Sequence, residues 1–125
     1  MNIFVLAKRM GNLLHDATDI SRQLADAVDR QDDVSAEMIL AMRRQPIDRL
    51  LVTDQALREQ IGEIDDAEEK DRIRALLNGT ATVAQNATEQ ALSEQVAANT
   101  RLHQKLLELD RVISYKMGRD KSIYQ

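Results

Sequence analysis

Apolar residues recur at Ile3, Leu6, Met10, Leu13, Ala17, Ile20, Leu24 and Ala27, in alternating steps of three and four without a slip. That spacing keeps one side of an α-helix apolar over about seven turns. A strand, whose side chains alternate between faces, cannot use it. The pattern predicts a helix over residues 2–30. Gly11 lies inside it and costs up to about 1 kcal/mol relative to alanine. Its neighbours keep the period, so the helix is expected to run through it.

The rest of the chain points the same way. Four glycines and one proline in 125 residues leave little material for the turns of a β protein. Alanine, leucine, glutamine, glutamate and arginine dominate, the residues that lose least on entering a helix. The fold class is all-α.

Gln31-Asp32-Asp33 punctuates the chain, and an aspartate there can accept from the amides that open a second helix. So short a connection folds that helix back antiparallel on the first. The second helix carries Val34, Met38, Met42, Leu50, Leu51, Asp54, Leu57 and Ile61. Pro46 removes a backbone donor, so a kink or break near Gln45 is expected, with one bent helix ending at about Ile61 favoured over two helices. After a turn at residues 62–66, either Asp65 with Glu68 or Asp66 with Glu69 resembles a capping box. A short helix with Ile73, Leu76 and Leu77 inward should follow, closed by Asn78-Gly79. The last helix is expected from Thr80 to Met117, striped by Val83, Ala87, Leu92, Val96, Asn99, Leu102, Leu106, Leu109, Ile113 and Met117, with Gly118 stopping it. Residues 1–118 then make one helical domain and residues 119–125 a flexible tail. The expected architecture is an elongated antiparallel helical bundle or coiled coil of three long helices plus one short helix.

Composition excludes several functions. A net charge of −4 is the wrong sign for nucleic acid, and 2% aromatic residues provide no stacking platform for bases. There is no cysteine for a disulfide, a thiolate or a metal site. The longest apolar runs, at residues 3–7 and 38–42, fall far short of the roughly 20 residues of a membrane span. The N-terminus lacks signal-peptide order, so a cytoplasmic location is expected.

His15 lies near Asp16 and Asp19 at helical spacing, which could offer ligands to a metal. Di-metal bundles need Glu-x-x-His, however, and the residues three before His15 and His103 are Asn12 and Thr100. His15 reads as a solvated histidine. The acidic run Asp65, Asp66, Glu68, Glu69 and Asp71 is followed by Lys70, Arg72 and Arg74 and reads as a capped, salt-bridged helix start. Arg43-Arg44 reads as a solvated face. No nucleophile motif or phosphate loop is present. The expectation is a protein without a catalytic site, cofactor or metal, working by binding other proteins. Asn99 on an apolar stripe either fixes register or faces partly outward; Met10, Met38, Met42 and Met117 either fill gaps or offer an adaptable partner surface. Both readings stay open at this point.

Two segments resemble the FlgN-type flagellar export chaperones. The first is a leucine-spaced helix, the acidic turn Gln31-Asp32-Asp33, and residues 34–44 ending in arginine. The second is Ala97-Ala98-Asn99-Thr100-Arg101-Leu102, followed by Leu106, Leu109, Ile113 and a tyrosine-bearing tail. The resemblance covers about half the chain with degenerate motifs. It implies a cytoplasmic chaperone of flagellar type III secretion that holds the helical ends of hook-associated (hook–filament junction) proteins before export. It also implies Asn99, Leu102, Leu106, Leu109 and Ile113 as client-binding residues, and Tyr115 and Tyr124 as contacts to the export apparatus. Such a chaperone is expected as a monomer or homodimer. The competing expectation is a homo-oligomeric coiled-coil scaffold or adaptor unrelated to flagella.

Overall fold

A computed structural model describes residues 2–80 and 82–123, with side chains placed up to Gly118 except at residue 81. Four helices pack together, and no strand occurs among the described residues: α1 (Ile3–Asp29), α2 (Asp33–Gly62), α3 (Ala67–Leu77) and α4 (Ala87–Ile123).

α1 opens with Asn2, whose side chain accepts from the amide of Phe4, and runs unbroken through Gly11. It closes in a Schellman motif: Gln31 takes a left-handed φ of 57°, its amide donates to the carbonyl of Val28, and the amide of Asp32 donates to that of Ala27. Asp32 also caps α2, accepting from the amide of Ser35 at 3.1 Å and from its hydroxyl at 2.6 Å. Those bonds from Ser35 hold the Asp32 carboxyl below the ordinary carboxylate range. One residue therefore serves two helices, and α2 returns at once along α1.

α2 is a single helix, with Pro46 buried inside it. Asp66, rather than Asp65, caps α3 by accepting from the amide of Glu68. Asn78 and Gly79 close α3 in a second Schellman motif, with Gly79 at φ 69°. Lys70 donates to the carbonyl of Gly62 at 3.1 Å and ties α3 to the end of α2.

α4 departs from expectation at both ends. It begins at Ala87, seven residues later than Thr80, because Asn86 and Glu89 form a capping box. The Glu89 amide donates to Asn86 Oδ1 at 2.8 Å, and Asn86 Nδ2 donates to Glu89 Oε2 at 3.2 Å. Val83 lies outside the helix and is exposed. At the other end the helix passes through Gly118 to Ile123. An isolated glycine weakens a helix by about 1 kcal/mol but ends one only where the backbone turns left-handed.

α1 is the centre. The backbones of α2 and α4 both pack along it and not on each other. α2 runs antiparallel to α1. α4 runs parallel to it, since Asn99 meets Ala7 near one end and Lys116 pairs with Asp29 near the other. Two adjacent rows of α1 are buried. One is the expected row through Leu6, Leu13, Ala17, Leu24 and Ala27; the other is Ala7, Gly11, Leu14, Thr18, Ser21 and Val28. The second row is hard to find by apolar periodicity because Gly11, Thr18 and Ser21 interrupt its apolar members. Three apolar clusters follow along α1: Leu6 with Leu57, Ile61, Ile73, Leu76, Leu92 and Val96; Leu14 and Ala17 with Leu106; and Leu24, Ala27 and Val28 with Ala36 and Ile113. Each buried Leu or Ile contributes roughly 1.5–3 kcal/mol. An exposed pair such as Arg58–Asp54 contributes about 0.5 kcal/mol at most, so the clusters hold the fold.

The small row permits close approach of α4. Asn99 Nδ2 donates to the carbonyl of Ala7 at 2.8 Å, and Gln95 Nε2 donates to Asn99 Oδ1 at 2.9 Å. A Cβ on residue 11 would lie 2.6 Å from Asn99 Oδ1 and 2.7 Å from Gln95 Nε2. At the same end of the bundle Glu89 is buried, and Arg72 of α3 donates to both its oxygens, at 2.7 and 2.9 Å. Arg72, with help from the Gln85 amide and Asn86, holds the Glu89 carboxyl below its ordinary range.

Gln31→Gly should stabilise the protein by up to about 1 kcal/mol, relieving a left-handed side chain, with the gain read from urea unfolding. Gly11→Ala, normally favourable inside a helix, should instead destabilise by about 1 kcal/mol or more. The loss should shrink in an Asn99→Ala background; a gain for the single variant would disprove the close contact. Because the folded Glu89 carboxyl titrates below the unfolded one, its contribution is present above the ordinary glutamate value of about 4.3 and lost as pH falls through the folded value. The stability difference between wild type and Glu89→Gln should therefore be largest near neutral pH and narrow in acid.

Candidate functional site

The last-helix residues expected to face a client largely face α1. Leu106 and Ile113 are 4% and 5% exposed. Leu102 is half-buried against the cluster of Leu14, Ala17 and Leu106. Leu109 is half-buried, and Asn99 spends its amide on the Ala7 carbonyl. The sequence leaves open whether this stripe is an exposed groove or bundle core; in the structure Leu106 and Ile113 are covered by α1, and Leu102 and Leu109 are half-buried. Asn99 does join α4 to α1, and within the chain rather than to a client. Tyr115 is exposed on α4, and Tyr124 lies outside the described residues.

Exposed apolar surface gathers on α2 instead. Val34, Met38, Met42, Leu51 and Val52 are each more than half exposed. The cause lies in their spacing. Val34, Met38, Met42, Pro46 and Leu50 recur every four residues, and each such step advances about 40° around a helix of 3.6 residues per turn. The row therefore winds diagonally across α2, from Val34 in solvent to buried Pro46 and half-buried Leu50 against α1. The sequence leaves Met38 and Met42 open between filling gaps and offering a partner surface; in the structure both are exposed. The drift of the four-step was the signal that could have separated the outer members from the inner ones.

Where this row meets α1, a groove of about 340 Å³ is lined by Leu13, Asp16, Asp19, Ile20, Met42, Gln45, Pro46 and Arg49. Leu13 and Pro46 are buried beneath it, Ile20 is half-buried, and Met42 is exposed. Asp16 and Asp19 stand exposed on the α1 rim, Arg49 on the α2 rim, and Asp19 accepts from Arg22 at 3.3 Å. The site combines an apolar ridge with an acidic edge. It suits non-covalent binding of an amphipathic segment.

Arg43 of α2 pairs with Asp110 of α4, behind the groove on the inward side. No group of three His, Cys, Asp or Glu side chains able to hold a metal occurs among the described residues, and His15 is exposed. No helix among the described residues is long and apolar enough to cross a membrane. In comparisons with known proteins the chain matches no family model, no curated protein and no solved structure.

Proposed function

We propose that this chain holds an amphipathic helix of another protein, as a cytoplasmic export chaperone of the flagellar type would hold the helical ends of hook-associated proteins before type III secretion. The observation that carries the reading is the ridge Val34–Met38–Met42, exposed along α2 and leading into the groove on α1. Apolar surface arranged in a four-residue ridge accepts a second helix by ridge-into-groove packing. Methionine adapts to partners of differing shape, which a carrier of several clients needs. The acidic turn and residues 34–44, one of the two segments that resemble the FlgN-type chaperones, include this ridge; the other segment, on α4, is largely covered by α1.

Holding a client helix is a matter of affinity and requires no reacting group. The bundle supports it by keeping α2 fixed: Asp32 pins one end, and Leu57 and Ile61 bury the other. The exposed half of α2 is then presented on a rigid base. Pre-ordering of that kind lowers the entropy lost on binding. Tyr115, exposed on α4, remains available for a contact with an export apparatus.

Purified chain mixed with terminal helical segments of hook-associated proteins should give a one-to-one complex by light scattering, with a Kd of about 1 μM or tighter by calorimetry. A chain that instead assembles with itself and ignores those segments would be the homo-oligomeric scaffold.

A further inference from the structure

We propose that the α1–α2 groove is a docking site for an amphipathic helix whose apolar edge is flanked by lysine or arginine. The inference rests on the helix-holding reading above and adds the place and the chemistry of recognition. It does not depend on the helix being flagellar.

The groove has the length and shape for one helix face. Leu13 and Ile20 stand two turns apart on α1, about 10 Å, and Met42 and Arg49 stand the same distance apart on α2. A partner placing apolar residues at i, i+3 or i+4, and i+7 can seat them between Ile20 and Met42 above Leu13 and Pro46. The further ridge residues Met38 and Val34 extend the apolar track beyond the groove by two more turns.

Charge selects the partner. Asp16 and Asp19 edge the groove on α1, and Asp16 has no ion-pair partner among the described residues. Arg22 neutralises Asp19 only in part, since both are exposed and 3.3 Å apart. A lysine or arginine on the partner's flank meets these two carboxylates in a charge-assisted contact. Arg49 on the opposite rim disfavours a basic residue there, which fixes the direction in which the flank must face. A second copy of this chain would bring a net charge of −4 to the acidic edge, so a basic-flanked helix from another protein is the better match.

The test uses the full chain and two fluorescein-labelled synthetic peptides of about 18 residues, five turns of helix. Both carry leucine at i, i+3, i+4 and i+7; one carries lysine along a single flank and the other glutamate. Fluorescence anisotropy should show the lysine peptide binding at least about tenfold more tightly, with the preference weakening as salt rises. Met42→Glu should lower its affinity by about tenfold or more while circular dichroism is unchanged, and Asp16→Lys with Asp19→Lys should reverse the preference between peptides. Leu107→Glu, on the exposed side of α4, should leave binding as it was. Equal binding of both peptides, indifference to Met42→Glu, or equal damage from Leu107→Glu would overturn the proposal. A wild-type dimer that Met42→Glu makes monomeric would overturn it too, by assigning the groove to a second copy. Flagellar segments that bind regardless of Met42→Glu would sink the groove and spare the chaperone. A lysine peptide that binds in the groove while flagellar segments do not would sink the flagellar reading and spare the groove.

Discussion

The contact of Asn99 with the carbonyl of Ala7, through space that only a glycine at position 11 leaves open, sets how α4 lies on α1. A half-buried amide without a partner is costly, so the chain gains most in the one register where Asn99 and Gln95 are both satisfied. Everything downstream on α4 follows from that register. Leu106 falls on Leu14 and Ala17, Ile113 on Leu24 and Ala27, and Lys116 beside Asp29. With α4 saturating one side of α1 and the inner half of α2 the other, the outer half of α2 is left without a cover from within the chain.

The helices themselves were legible from periodicity. So were an aspartate cap in the turn between α1 and α2 and the Asn78-Gly79 stop. Each of these rests on local chemistry within one or two turns. The orientation of stripes was less legible. Leu102, Leu106, Leu109 and Ile113 look the same in sequence whether they face a client or α1. What decides between those fates is the row Ala7, Gly11, Leu14, Thr18 and Ser21, in which a glycine and two hydroxyl residues break the apolar signal. The boundaries of α4 failed for opposite reasons. At its start a run free of glycine and proline was taken for helix, while the Asn86–Glu89 capping box seven residues on was passed over. At its end Gly118 was given the power to stop a helix without the backbone turn that a stop requires.

The candidate site was legible only in pieces. Met42 stood out as an adaptable methionine, Asp16 and Asp19 as neighbours of His15, and Pro46 as a disturbance of α2. Only the return of α2 along α1 brings them to one groove. Their chemistry then reads differently. The two carboxylates form the acidic edge of the groove, and the proline is part of its apolar floor.

The Asn99–Ala7 bond joins residues 92 positions apart, whereas α1 and α2 meet across a turn with the single residue Gln31 between the caps Arg30 and Asp32. Closing so long a segment adds little to the equilibrium entropy, which grows only with the logarithm of its length. Its effect is on timing. On a ribosome, α1 and α2 are complete and paired well before Asn99 has been made, and the small-residue row of α1 waits uncovered until then. The hairpin thus meets the cell first as an open half-core, and α4 arrives last as the piece that closes it.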